Sequence, residues 1–313
     1  MKRIFLTLII SLICLGAASI LFSFAKKTGG NTEIGQGENY YPSQLPSSGN
    51  AFITASLNSN FIPLRNWTVE EPNILAKAAG VFDPNGDKFL YQKNIKEKLP
   101  IASLTKIMTA IIALDNLGLD EIITISKKTV MTEGENGRLV IGEKLSARDL
   151  LYIMLIESSN DAAVALSDAV NDFLSLMNKK AKEIGLEHTN FADSTGISAE
   201  NYSTIVDLAR LAEYSFTQKS LMWQILGIKE IEISSQDGKI KHHLLNINKL
   251  LNEVNQIIGG KTGFTDEAEG CMIVINRIPN KTGEYLVTII LGSKDRELET
   301  KKLIEWVEKS YVW

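Results

Sequence analysis

Residues 100–109 read Pro100-Ile101-Ala102-Ser103-Leu104-Thr105-Lys106-Ile107-Met108-Thr109. The mostly apolar residues that follow predict a helix over Ser103–Leu117, which this stretch begins. A separation of three positions places the side chains of Ser103 and Lys106 on one face of such a helix, with Cβ atoms about 5–6 Å apart. The amide of Ser103 then lies at the helix N-terminus, where unpaired N–H groups and the helix dipole favour a developing negative charge. The pair is therefore a candidate nucleophile and base, and the alternative is a helix cap followed by a surface lysine.

Two further short motifs occur downstream, Ser158-Ser159-Asn160 and Lys261-Thr262-Gly263. Each is weak alone, because a serine three residues before a lysine is expected about once by chance in a chain of this length. Similar patterns recur in the apolar N-terminal run, in the segment after it and in a predicted turn, at Ser23–Lys26, Ser48–Asn50, Ser56–Asn58, Lys27–Gly29 and Lys281–Gly283. Order, spacing and context therefore separate one set of three motifs from the chance copies.

The hydrophobic pattern predicts strands near both ends of the folded region and helices between them. The predicted strand pairs are Ala76–Phe82 with Lys88–Tyr91, Ile228–Ser234 with Lys239–Leu245, and Cys271–Ile278 with Tyr285–Leu291. The predicted helices after the first are Ala147–Ile156, Ser159–Val170, Leu174–Ile184, Thr204–Phe216 and Glu297–Lys309. Several of these helices are too apolar to lie on the surface. The pattern predicts an antiparallel sheet covered by helices, an α/β fold of the α+β type.

The first 26 residues predict a membrane anchor or an export signal. An uncharged run from Ile4 to Ala25 follows Lys2 and Arg3, and a helix of this length spans roughly the 30 Å of a bilayer core. The length favours an uncleaved anchor over a cleaved signal, and either one exports the rest of the chain. Residues 27–73 are rich in Gly, Ser, Asn and Pro, which predicts a flexible tether. The catalytic domain is predicted over residues 74–313.

The composition argues against several classes of function. A net charge of −4 gives no electrostatic reason to expect a nucleic-acid partner. The three histidines, His188, His242 and His243, have no metal-ligand spacing, so we expect no metal site. Cys14 lies in the apolar run and Cys271 in an apolar strand-like run, and neither predicts a disulfide.

The three motifs and their surroundings closely resemble the D-alanyl-D-alanine carboxypeptidase family, the low-molecular-mass penicillin-binding proteins. The resemblance rests on residues 100–109, 157–166 and 260–268, and it extends through residues 79–83, 188–191, 202–204 and 207–209. It covers about Ala76 to the C-terminus. One departure is Ser159, where members of the family commonly have glycine. The resemblance implies a β-lactamase/penicillin-binding transpeptidase-like fold, with helices flanking an antiparallel sheet and a helical subdomain.

The resemblance also implies catalytic roles for three side chains. Ser103 would be the nucleophile and Lys106 its base, which requires a neutral amine and hence a pKa lowered by burial or by nearby positive charge. Ser158 would pass a proton to the nitrogen of the leaving D-alanine.

Substrate-binding roles follow from the same resemblance. Asn160 would orient a substrate amide, and Lys261 and Thr262 would hold the terminal carboxylate. Gly263 would let a strand edge approach the substrate, and the backbone N–H groups of Ser103 and Phe264 would form the oxyanion hole.

The implied reaction removes the terminal D-alanine from peptidoglycan stem peptides through an acyl-enzyme, with no metal or organic cofactor. The implied partners are stem peptides ending in D-Ala-D-Ala, β-lactam inhibitors and, through the N-terminal segment, a membrane. The expected location is the extracytoplasmic face of the bacterial cell membrane, or outside the cell if the segment is cleaved.

Three other functions remain open. A class A β-lactamase uses the same motifs, but its Glu-x-x-x-Asn pattern is absent between Asn160 and Lys261. The second alternative is a non-catalytic penicillin-binding wall protein. The third is a D,D-endopeptidase or transpeptidase, which the same residues would support.

Overall fold

The computed structural model describes residues 63–132, 134 and 138–313 of the chain. The predicted anchor over residues 1–26 and residues 27–62 of the predicted tether lie outside these described residues. Within the described ranges, no helix is both long enough and apolar enough to cross a bilayer. The described residues all belong to one structural unit.

Thirteen strands, eight α-helices and two 3₁₀ turns form in the described part of the chain. The strands are β1 (Leu64–Arg65), β2 (Ala78–Asp83), β3 (Lys88–Lys93), β4 (Leu99–Pro100), β5 (Ile122–Thr124), β6 (Lys144–Ser146), β7 (Tyr202–Ser203), β8 (Glu230–Ser234), β9 (Lys241–Leu245), β10 (Ile257–Thr265), β11 (Glu269–Arg277), β12 (Tyr285–Ser293) and β13 (Tyr311–Val312). The helices are α1 (Lys106–Asn116), α2 (Lys127–Val130), α3 (Ala147–Ile156), α4 (Asn160–Asp168), α5 (Phe173–Glu183), α6 (Ile205–Gln218), α7 (Ser220–Leu226) and α8 (Arg296–Ser310). The 3₁₀ turns are Ala102–Thr105 and Lys249–Asn252.

Five strands form a central antiparallel sheet in the order β10-β11-β12-β2-β3. Side chains alternate between its two faces, as the two-residue period of a strand requires. Along β12, Leu286 and Ile290 join the apolar cluster that contains α8, whereas Val287 and Ile289 join the cluster that contains α1, α3, α6 and α7. Both faces of the sheet are therefore covered by helices, as the sequence predicts.

Helix α1 lies inside the helical layer rather than on its surface. Its residues from Lys106 to Ala113 are all buried, and it contacts α3, α4, α5 and α6. Serine and threonine side chains start three of the surrounding helices, because Ser146, Ser159 and Thr204 each accept a hydrogen bond from a first-turn backbone N–H. The apolar character predicted for this region thus reflects helices packed on each other and on the sheet.

The folded domain includes residues that precede its predicted boundary at Ile74. β1 pairs antiparallel with β13, with Leu64 opposite Val312. The guanidinium of Arg65 lies 4.1 Å from the ring centre of Trp67 and 5.2 Å from that of Trp306 in α8. The end of the predicted tether is therefore part of the folded domain. A two-residue strand leaves no periodic pattern in the sequence, which explains the misplaced boundary.

Two elements that form the site differ from the sequence-based prediction. The predicted helix Ser103–Leu117 starts as the 3₁₀ turn Ala102–Thr105, and its α-helical part begins at Lys106. The pattern also missed β10, whose Gly259 and Gly260 weaken the strand signal. β10 nevertheless pairs along most of its length with β11 and forms one edge of the sheet.

Candidate active site

The 3₁₀ turn Ala102–Thr105 places Ser103 directly before α1. Ile101 donates its N–H to the carbonyl of Asn201 at 3.0 Å, which fixes the chain on the approach to this turn. Ala102 has a φ of +46°, a left-handed conformation that is unfavourable for a residue with a Cβ. Across the junction between this turn and α1, Lys106 Nζ lies 2.9 Å from Ser103 Oγ. The predicted side-chain pair therefore does form.

Lys106 is fully buried, and its amine makes two more hydrogen bonds. Nζ lies 2.7 Å from Asn160 Oδ1 and 2.6 Å from the carbonyl oxygen of Thr195. Burial lowers the pKa of Lys106 to about 7, against an opposing effect of Asp193. A neutral lysine amine has two N–H groups and one lone pair. If the N–H groups go to Asn160 and Thr195, the lone pair faces the hydroxyl of Ser103 and can take its proton.

Ser158 and Lys261 form a second hydroxyl–amine pair. Lys261 Nζ donates to Ser158 Oγ at 2.7 Å and to the carbonyl of Thr262 at 2.8 Å. Ser158 has a φ of +63°, which turns the chain between α3 and α4. Burial, together with the positive charges of Lys106 and Arg296, holds the pKa of Lys261 well below its ordinary value. A carboxylate placed beside Lys261 would favour the protonated amine, because an opposite charge raises the pKa of a lysine.

β10 passes very close to the turn that holds Ser103. A Cβ at Gly263 would lie 2.9 Å from the backbone nitrogen of Ser103 and 3.1 Å from the carbonyl oxygen of Ile101, so only glycine fits without movement. The next residue, Phe264, has a side chain that is 64% exposed. The hydroxyl of Thr262 is buried and has no hydrogen-bond partner among the described residues. Because buried polar groups are usually hydrogen-bonded, this hydroxyl is available to a bound group in the site.

These residues surround one cleft of about 630 Å³. Six of the eight predicted site residues line it, namely Ser103, Ser158, Asn160, Thr262, Gly263 and Phe264. Lys106 and Lys261 lie beneath it, bonded to the two serine hydroxyls. The structure thus brings all eight together, although they come from three distant parts of the chain.

A family model for D-alanyl-D-alanine carboxypeptidases matches residues 65–295 of the chain. The chain belongs to this family. That membership confirms the predicted class of enzyme, a serine-type D-alanyl-D-alanine carboxypeptidase, and the predicted fold.

Individual relatives of the family support both conclusions. A D-alanyl-D-alanine endopeptidase of Pseudomonas aeruginosa is 32% identical over 77% of this chain and 80% of its own length. The D-alanyl-D-alanine carboxypeptidase DacF of Bacillus subtilis is 30% identical over 75% of this chain, which spans 63% of DacF. The crystal structure of the Streptomyces K15 DD-transpeptidase superimposes with a TM-score of 0.70 at 29% identity, over 76% of this chain and 98% of its own. Relatives of the family thus carry carboxypeptidase, endopeptidase and transpeptidase names.

Three residues of this carboxypeptidase-family site were missed by the sequence analysis. Arg296, at the start of α8, lines the cleft and donates from Nη1 to the carbonyl of Gly263 at 2.7 Å. Thr195 contributes only its backbone carbonyl, which no side-chain pattern reveals. Asp193 lies near enough to raise the pKa of Lys106. The run Asp193-Ser194-Thr195-Gly196 was the available signal, because Asp and Gly two or three residues apart are typical of a tight polar turn.

Proposed function

We propose that Ser103 attacks the carbonyl of the penultimate D-alanine in a peptidoglycan stem peptide, with Lys106 as the base. The observation that supports this most directly is the 2.9 Å contact between Ser103 Oγ and a fully buried amine whose pKa is about 7. At neutral pH a large fraction of such an amine is unprotonated, which is the state a base requires. Attack forms the ester bond of the acyl-enzyme as the peptide C–N bond breaks and D-alanine leaves.

Ser158 and Lys261 carry the proton to the leaving nitrogen. The 2.7 Å hydrogen bond between them and the burial of Lys261 support this role. Ser158 Oγ accepts from Lys261, so its own hydrogen is available to a group in the cleft.

The terminal carboxylate of the substrate binds at the Lys261 end of the cleft. Lys261 and Arg296 supply positive charge there, and the buried Thr262 hydroxyl supplies a donor that has no partner among the described residues. Asn160 orients a substrate amide. Binding of the carboxylate raises the pKa of Lys261 again, because an opposite charge favours the protonated amine.

The substrate backbone adds to the open edge of β10. β10 has β11 on one side and ends the five-stranded sheet on the other, and an exposed strand edge can pair with an extended peptide. Gly263 keeps this edge against the Ser103 turn. The N–H groups of Ser103 and Phe264 then stabilise the oxyanion, and water hydrolyses the acyl-enzyme. β-Lactams acylate Ser103 in the same way.

The N-terminal segment holds the enzyme at the extracytoplasmic face of the cell membrane. The length of the uncharged run from Ile4 to Ala25 supports this location. Cell fractionation with an alkaline wash tests it, combined with the mass of the mature chain. A chain that keeps Met1 and stays with the membrane fits an anchor, whereas a shortened, released chain is a secreted enzyme.

Release of D-alanine from a peptide ending in D-alanyl-D-alanine tests the proposed reaction. We expect the full chain in detergent to release it, and Ser103→Ala and Lys106→Arg to lose the activity. A cross-linked peptide dimer measured in parallel distinguishes endopeptidase from carboxypeptidase activity. Full activity of Ser103→Ala would refute the proposed function.

A further inference from the structure

The carboxylate of Asp193 is surrounded by hydrogen-bond donors from its own loop. It accepts from Thr195 N at 2.7 Å, Thr195 Oγ1 at 2.8 Å, Gly196 N at 2.6 Å, Ser198 N at 3.0 Å and Asn201 Nδ2 at 2.8 Å. We call residues 193–201 the 193–201 loop. Charge-assisted bonds of this kind are stronger than bonds between neutral groups, so this carboxylate holds the shape of the loop.

The 193–201 loop contacts both members of the Ser103–Lys106 pair. The carbonyl of Thr195 accepts from Lys106 Nζ at 2.6 Å. Gly196 packs so tightly that a Cβ there would lie 2.0 Å from the carbonyl oxygen of Ala102 and 2.9 Å from the nitrogen of Ser103. At the end of the loop, the carbonyl of Asn201 accepts from Ile101 N at 3.0 Å. One small loop therefore touches the base directly and the nucleophile through its backbone.

We propose that Asp193 is a positioning residue for acyl transfer, which fixes the Thr195 carbonyl and the Gly196 backbone so that Lys106 is held with its lone pair towards Ser103. The proposal rests on the proposed function, in which Lys106 is the base. Asp193 is not among the described residues that line the cleft. It acts through Thr195 and Gly196, two of the residues whose backbone N–H groups it binds.

The charges around Lys106 agree with this role. Burial acts to raise the pKa of the Asp193 carboxyl, but the N–H donors of Ser198, Gly196 and Thr195 outweigh it and leave that pKa below its ordinary value. The ionised carboxylate acts to raise the pKa of Lys106 against burial. On the other side, the positive charge of Lys106 acts to lower the pKa of Lys261 in β10. Asp193 thus also tunes the pH at which the base becomes neutral.

Asp207 in α6 provides a matched control. Its carboxylate is buried and accepts from His188 N at 2.7 Å and Thr189 Oγ1 at 2.8 Å, so it too organises a loop. None of its hydrogen bonds within the described part of the chain goes to Ser103 or Lys106, so it represents a buried carboxylate with a purely structural role.

The experiment measures the rate constant of acylation by a β-lactam between pH 5.5 and 9, together with the burst amplitude and the Tm. The full chain is used, as wild type, Asp193→Asn, Asp193→Ala and Asp207→Asn. Because the amplitude counts folded sites, a loss of folded protein lowers the amplitude and not the rate constant. For Asp193→Asn we expect the apparent pKa of acylation to fall by roughly half a unit to one unit. For Asp193→Ala we expect the plateau rate constant to fall roughly tenfold or more, because the base is misplaced.

Asp207→Asn is expected to lower the Tm and to leave the apparent pKa and the plateau at wild-type values. The proposal is overturned if both Asp193 variants keep the wild-type apparent pKa and plateau, or if Asp207→Asn changes them equally. Failure of the proposed function looks different, because the wild type itself would then show no acylation, or Ser103→Ala would be acylated equally.

Discussion

A lysine can take a proton from a serine hydroxyl only while its own amine is neutral, and an ordinary lysine is almost fully protonated at pH 7. Lys106 solves this problem by complete burial, which lowers its pKa to about 7. The two acceptors Asn160 Oδ1 and the Thr195 carbonyl take the N–H groups of the neutral amine, which leaves its lone pair directed towards Ser103 Oγ. The burial of this one lysine and the hydrogen bonds of its amine thus determine the chemistry of the site.

The pH dependence of acylation follows from that pKa. Lys106 is neutral above its pKa of about 7, so the acylation rate constant should rise with pH through about 7 and level off above it. Lys106→Arg should lose both the rise and at least roughly 10²-fold in rate, because a guanidinium stays protonated. Stopped-flow acylation by a β-lactam measures both, with the surface variant Lys128→Arg as control. A flat wild-type profile or an active arginine variant would contradict the assignment.

Gly263 is a second residue at which one atom decides the geometry. A methyl group there would press on the backbone of Ser103 and Ile101, so Gly263→Ala should push β10 away from the 3₁₀ turn. We expect acylation to slow by about tenfold or more and unfolding to become easier by about 1–3 kcal/mol. Gly118→Ala is the control, because its nearest neighbour would lie at 3.9 Å. Equal rates for the two variants would show that the close approach does not matter.

At the scale of elements, the sequence predicts best those helices and strands whose hydrophobic pattern extends over several residues. The helix Ala147–Ile156 appears with the predicted bounds, and the hairpins built from β2–β3 and β8–β9 form as expected. β10 was missed because three of its nine residues are glycine. Those glycines allow close packing: a Cβ on Gly259, for example, would lie 2.7 Å from the carbonyl oxygen of Trp223. The strand signal is thus weakest where the strand serves the site.

The site residues likewise divide into those that the sequence reveals and those that only the fold brings to the site. The motif residues could be found from the sequence because their side-chain chemistry is read directly from the chain. Arg296 could not, because it is one of many charged residues near a helix start and only the fold brings it to Gly263. Thr195 acts through a backbone carbonyl, and every residue has one.

Glu299 joins two elements whose connection the sequence does not show. Its carboxylate accepts from the backbone N–H groups of Leu75 and Ala76 and from Ser293 Oγ, and so ties the segment before β2 to α8. Glu299→Gln replaces one acceptor with a donor, which should lower the free energy of unfolding by about 1–3 kcal/mol. Urea unfolding measures this, with the exposed Glu305→Gln as control.

The acylation rate of Glu299→Gln should remain that of the wild type, because the hydrogen bonds of Glu299 go to Leu75, Ala76 and Ser293 and not to the Ser103 turn. An unfolding free energy equal to that of Glu305→Gln would show that this connection adds no stability.

At the scale of the whole molecule, the buried base should make stability depend on pH. Between about 7, the pKa of Lys106 in the folded protein, and about 10.4, the usual lysine value, the unfolded chain holds a proton that the folded chain lacks. Stability therefore rises with pH across this window, by at most roughly 1.4 kcal/mol per pH unit from this group. Below pH 7 the same group adds no further dependence.

Lys106→Met removes this dependence while filling similar space. The variant should exceed the wild type in unfolding free energy most clearly at pH 6, and the difference should shrink towards pH 10. Urea unfolding at pH 6, 7, 8, 9 and 10 measures it. Lys261 adds to this difference. Without the charge of Lys106 the pKa of Lys261 rises towards the ordinary lysine value, which also stabilises the variant at low pH. A difference that stays constant with pH would mean that Lys106 is not neutral in the folded protein.

The most direct test of the central claim is the intact mass of the full chain after incubation with benzylpenicillin, beside Ser103→Ala. Opening of the β-lactam ring by the serine adds the whole mass of the drug. We expect one such adduct on the wild type and none on the variant. No adduct with the drug intact would contradict catalysis at Ser103 and favour a non-catalytic wall protein, and no adduct with the drug consumed would favour a β-lactamase.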